Sequence, residues 1–124
     1  MTSENAPQSP PIDRGTRIAL IFALVAERLA IYYEHAQWPS QAQGAALAQN
    51  WLQRSRRTLP MAERKQLSAV SDQVARQIAQ SLSREAGLYT VHEMMESLDP
   101  NYHSEIGGSL MVECERALDG ELAA

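Results

Sequence analysis

Residues 18–33 read IALIFALVAERLAIYY, and only Glu27 and Arg28 interrupt the apolar run. A helix on a protein surface keeps one polar face. This segment is apolar on every side for its first nine residues, so something must cover it all round. The chain has 124 residues, enough for one domain with one core. Such a helix belongs at the centre of a bundle or in an association surface. The other apolar stripes in the chain are narrow and offer limited cover. The sequence therefore points to a homo-oligomer joined through helix 1, with Leu20, Ile21 and Leu24 at the contact.

The remaining pattern is helical. Ala, Gln, Leu, Glu and Arg are abundant, aromatics make up only 6% of the chain, and no segment alternates with period two. Helix 1 starts after Asp13 or Thr16, both possible caps, and ends before Trp38-Pro39. Its later part carries Glu27, Arg28, Glu34 and His35 on one face, which reads as the solvated end. Ser40 caps a helix over 41–57, where Ala42, Ala45, Ala46 and Ala48 would let a neighbour approach closely. Pro60 opens a third helix over 61–86, with Gly87 as its stop and an apolar stripe at Leu67, Val70, Val74, Ile78 and Leu82. Thr90 and Glu93 form a capping box for a short helix over 91–98. Residues 99–103 read as a turn, and a last helix covers 109–118, or starts at Glu105 if Gly107 and Gly108 lie inside it. The expected fold is all-α, a small helical bundle of four to five helices. Residues 1–12, polar and proline-rich at the start, are expected to form a flexible tail, and 13–124 a single helical domain.

Charge is unevenly placed. The net charge is −4. Residues 1–39 sum to −1, residues 40–87 to +4 and residues 88–124 to −7. The molecule as a whole is therefore not drawn to nucleic acid or anionic lipid. The positive part is concentrated at Arg54, Arg56, Arg57, Arg64 and Lys65, around one turn. Such a patch can grip an acidic protein surface or phosphates, unless the acidic C-terminal third folds back and neutralises it. The run at 18–26 has the length of a signal-peptide core, but acids and prolines precede it, no cleavage pattern follows and charges return at once. It is also too short to span a membrane. A single cysteine, Cys114, permits no internal disulfide and suits a reducing compartment, here the cytoplasm.

Chemistry-bearing patterns are weak. A helix-turn-helix reading of 59–91 fails because helix 3 shows no break and the would-be recognition helix carries His92, Glu93, Glu96 and Asp99. Glu85, His92 and Glu96 have helical spacing, with His103, Glu105, Glu113 and Cys114 nearby. The sequence lacks the Glu-x-x-His and two-histidine patterns of bundle metal sites, and the expected helix boundary at Gly87 would break the alignment. Cys114 sits between Glu113 and Glu115 on an apolar line with Met111, Leu118 and Leu122, which suits a buried thiol better than a nucleophile. Glu27, Glu34 and His35 form the sole candidate acid–base group, with no nucleophile or oxyanion arrangement beside it. Met94, Met95 and Met111 supply adaptable apolar side chains, and Trp38, Trp51, Tyr32, Tyr33, Tyr89 and Tyr102 are residue types that anchor interfaces.

The sequence thus indicates a protein that is not an enzyme, with no catalytic residue, metal or cofactor. It reads as a non-enzymatic protein-interaction module, an adaptor, inhibitor or regulatory subunit. The expected partner-binding residues are Arg54, Arg56, Arg57, Arg64, Lys65, Met94 and Met95. One alternative is a bundle holding a metal or small ligand through His92, Glu96 and His103. Another is a nucleic-acid-associated regulator using Arg54, Arg56 and Arg57.

Overall fold

The computed structural model describes residues 12–99, 101–102 and 104–123, with side chains as far as Gly120. Five helices follow one another: α1 (Arg14–His35), α2 (Gln41–Arg54), α3 (Met61–Ser81), α4 (Arg84–Glu96) and α5 (Glu105–Ala123). The described part is an all-α bundle, as the sequence indicates. Asp13 is the cap that starts α1, its carboxylate accepting the Thr16 amide at 2.7 Å. Ser40 and Gln43 close a reciprocal capping box on α2. At the end of α2, Arg56 takes a left-handed conformation (φ 54°), and the Arg57 amide reaches back to the Leu52 carbonyl at 2.9 Å. That is the usual way a helix satisfies its last carbonyls, here with arginine in place of glycine.

α1 is the axis of the bundle, and α2, α3, α4 and α5 all pack on it. Leu20, Ile21, Phe22, Leu24, Val25, Ala26 and Leu29 are 0% exposed within a single chain. Each large apolar side chain so buried contributes about 2 kcal/mol. This corrects the expected oligomer contact. Leu20, Ile21 and Leu24 lie in the interior, so helix 1 needs no second subunit to keep it dry. Leu67, Val70 and Val74 from α3, Val91 and Met94 from α4, and Cys114 and Leu118 from α5 supply the cover. Ile12, assigned to the tail from sequence, is also buried in this core. Residues 1–11 lie outside the described residues. Among the described residues, no helix is long and apolar enough to cross a membrane.

The junction of α3 and α4 differs from expectation, and α5 takes the longer of its two expected starts. α3 stops at Ser81, where Leu82 turns extended (φ −119°, ψ 137°), and Ser83 caps α4 by accepting the Ala86 amide at 3.2 Å. Gly87 does not end a helix but sits inside α4 against the Tyr33 ring. A Cβ there would lie 2.1 Å from Tyr33 Cζ. Thr90 is likewise internal, its hydroxyl donating to the Ala86 carbonyl at 2.8 Å. Glu93 accepts from Tyr102 and Ser104 instead of closing a capping box. α5 starts at Glu105, with Gly107 pressed on Ser97 and Gly108 facing open space.

These contacts separate glycines of like sequence context. Gly87→Ala is expected to lower stability by about 2 kcal/mol, because the Tyr33 ring cannot yield without disturbing the core. Gly108→Ala is expected to raise it by about 0.5–1 kcal/mol through helix propensity alone. Urea unfolding followed by circular dichroism checks both.

Candidate anion-binding groove

One polar residue in the middle of α1 breaks the dry axis. Arg28, expected from sequence at the solvated end of the helix, is 3% exposed. Its guanidinium threads between α2 and α3. Nε donates to Ser71 Oγ at 3.0 Å, Nη2 to Ser68 Oγ at 2.7 Å and to the Ser68 carbonyl at 3.2 Å, and Nη1 to Asp72 Oδ1 at 3.3 Å. Gly44 makes the passage possible from the α2 side, since a Cβ there would stand 2.3 Å from Arg28 Nη2. Burial lowers the Arg28 pKa, with the Asp72 charge opposing and Arg76 adding to the effect. A buried charge is tolerated where it is paired and hydrogen-bonded, and this one is both.

Asp72 is the hub of this end of the site. It accepts from the Trp38 indole at 2.7 Å and from Arg76 Nε at 2.9 Å, while the Arg76 guanidinium lies 4.5 Å from the Trp38 ring centroid. Trp38 packs edge-on to Tyr32 at 5.1 Å. Burial alone would raise the Asp72 pKa. The Trp38 and Arg76 hydrogen bonds and the Arg28 and Arg76 charges outweigh it and hold the carboxyl below its ordinary 3.8.

Above Arg28 the two helices leave a groove of about 830 Å³. Ala45 and Ala48 line it from α2, and Ser68 and Ala69 from α3. Of the α2 alanines read from sequence as a close helix contact, Ala48 is buried in the core, whereas Ala45 is exposed along the groove. Arg28 forms the floor, with Arg64, Lys65 and Arg76 along α3, and Asp72 is the one carboxylate in the lining. At the far end Arg64 meets only neutral acceptors, Gln49 Oε1 and Met61 Sδ, and its buried Nε has no partner among the described residues. The excess of positive charge, in a volume within the range of ligand sites, suits an anionic group.

The expected partner residues fall into three places. Arg64 and Lys65 line the groove. Arg54, Arg56 and Arg57 stand exposed at the turn after α2, where Arg54 approaches Glu27 at 3.5 Å. Met95 is 37% exposed on α4, which packs on α1 and α5, so it belongs to a separate surface. Met94 is corrected outright: it is fully buried against α1 and cannot meet a partner. Among the described residues, no ion pair joins the acidic C-terminal third to the basic turn. Glu115 and Asp119 of α5 pair instead with Arg14 at the start of α1, and Glu63 with Arg17. Arg28, Gly44, Ser68, Ser71, Asp72 and Arg76 escaped the sequence reading. The spacing of Ser68, Ser71 and Asp72 on one face of an otherwise apolar stripe was the available signal.

The other candidates resolve simply. α4 is continuous, so Glu85, His92 and Glu96 do align, contrary to expectation. All three are exposed, with His92 Nε2 3.9 Å from Glu96. No group of three possible metal ligands occurs among the described residues, and His103 lies outside them. The break at Leu82 removes one objection to a helix-turn-helix, but α4 still carries three acids against Arg84. Glu34 and His35 are exposed and Glu27 is half-buried beside Arg54, so they form no cleft. Cys114 is buried, and burial with the Glu113 charge pushes its thiol up to about 12. Compared with known proteins, the chain matches no family model, no curated protein and no solved structure.

Two outcomes are expected. Asp72 has a folded-state pKa below its unfolded value, so its contribution is present above about pH 4 and is lost as pH falls through the folded pKa. Asp72→Asn should therefore show a smaller stability loss between pH 7 and pH 2 than the parent, in denaturant titrations at each pH. Cys114 should fail to react with a disulfide reagent at pH ~8 in the native protein and react fully once unfolded, because the thiolate is the nucleophile and burial suppresses it.

Proposed function

We propose that this protein is a non-enzymatic interaction module, an adaptor, inhibitor or regulatory subunit, that binds an acidic partner protein through its α2–α3 face. The observation that carries this reading is the absence, among the described residues, of any ion pair between the acidic C-terminal third and the basic turn. Arg64 and Lys65 line the groove, and Arg56 and Arg57 stand exposed at the turn between α2 and α3. Self-association through helix 1 no longer supports the reading, since that helix is covered by its own chain. A free small anion is a second reading, favoured by the excess of cationic side chains lining the groove. The alternative of a metal held by His92 and Glu96 gains no support from their exposed positions. A buried lone thiol suits a reducing location such as the cytoplasm.

The Arg56 and Arg57 charges can be altered without touching the core. In affinity capture from the source organism, the wild-type chain is expected to retain an acidic protein that dissociates as salt rises. The doubly reversed variant, Arg56→Glu with Arg57→Glu, is expected to bind it at least about tenfold more weakly, chiefly through slower association. Arg56→Gly relieves the left-handed backbone and serves as the folded control. Capture indifferent to charge reversal would overturn the reading, and a salt-sensitive shift of nucleic acid in its place would favour the regulator alternative.

A further inference from the structure

We propose that the α2–α3 groove seats an extended acidic segment of the partner protein, about six residues long, with a carboxylate at each end. The inference rests on the acidic-partner reading above and adds the mode of recognition. Its basis is the placement of unsatisfied positive charge. Arg64 and Arg76 both line the groove from α3, twelve positions apart, which is roughly 18 Å along the helix axis and about 120° around it, so they stand at opposite ends and opposite edges of its floor. At the first end, the guanidinium of Arg64 is held by an amide and a thioether, with its Nε unpartnered, and Lys65 stands beside it. A carboxylate there would replace neutral acceptors with a charge-assisted, forked contact, about twice as strong. At the second end, Arg76 spends only Nε on Asp72, and both Nη nitrogens lack a protein partner among the described residues. Between them, Arg28 uses four of its five N–H groups on Ser68, Ser71 and Asp72, which leaves one on Nη1 for a backbone carbonyl.

Length selects the occupant. A small dicarboxylate is too short to reach both ends. A helix would have to order about twelve residues to make the same two end contacts. An extended chain covers the distance in five to six residues, at ~3.3 Å each. The walls of Ala45, Ala48 and Ala69 accept small or medium apolar side chains in its middle.

The test is a nuclear magnetic resonance titration of the full chain with acetyl-Glu-Ala-Leu-Ala-Ala-Glu-amide, its counterpart with Gln at both ends, and succinate. The acidic peptide is expected to shift amides along α2 and α3 and to saturate. The Gln peptide and succinate are expected to bind at least tenfold more weakly. Arg64→Gln and Ala45→Leu are each expected to weaken the acidic peptide at least tenfold. Ala45 is exposed on α2, so its variant blocks the groove without entering the core, and unchanged amide shifts elsewhere verify the fold. Shifts confined to the turn at 54–57, or none, overturn the groove as the seat. Succinate binding as tightly as the peptide overturns the segment in favour of a small anion. The acidic-partner reading itself stands or falls separately, on the Arg56 and Arg57 reversals.

Discussion

The stretch of α1 from Ile18 to Ala26, apolar on every flank, has to be kept from water, and the rest of this fold is arranged around that requirement. Four shorter or more polar helices each give α1 one stripe, and together they close round it. No single stripe is wide. Leu67, Val70 and Val74 suffice for α3 because α5 continues the cover on one side and α2 on the other. Close approaches complete the seal. Gly87 admits the Tyr33 ring to the α4 backbone, and Gly107 brings α5 onto Ser97. The cover is thus distributed among elements that would each be marginal alone.

Arg28 is the one place where this enclosure admits charge, and its consequences shape the candidate site. A guanidinium inside the bundle needs acceptors, and α3 supplies Ser68, Ser71 and Asp72 on the flank facing it. Those polar residues take the place of large apolar ones between α2 and α3. With alanines opposite, the two helices part and a groove opens above the guanidinium. Asp72 is then shared by Arg28, Arg76 and Trp38, so it cannot neutralise all the positive charge around it. The excess charge thus has two sources, the arginine of the axis and the Arg64, Lys65 and Arg76 side chains that α3 adds along the groove.

The helical class, the central role of helix 1 and the starts of α1, α2 and α3 were legible because each rests on local chemistry: an unbroken apolar run, Asp13 and Ser40 as caps, Pro60 before a helix. The break at Leu82 was not, since Leu82, Ser83 and Arg84 include neither glycine nor proline and the interruption lies in backbone geometry. Gly87 misled for the opposite reason, serving a contact with a ring far away in sequence. Met94 and Met95 are adjacent yet lie about 100° apart on a helix, so one is buried and one is not. The burial of Arg28 depends on partners forty or more residues downstream, and helix periodicity grouped it with the exposed Glu34 and His35. The basic cluster was visible. Its division into an exposed turn and a groove wall was not.

The separation of charge along the chain survives folding. The segment from 40 to 87 is net positive and that from 88 to 124 net negative. The α5 acids that form ion pairs across the fold do so with α1, leaving α2 and α3 positive. Such a body is an electric dipole. In the field of a charged macromolecule it experiences a torque before any contact forms, and a negative neighbour draws the α2–α3 side forward while repelling the opposite pole. Collisions would then be biased in orientation, with productive encounters enriched at low ionic strength and randomised once counterions shorten the reach of the field to a few ångströms.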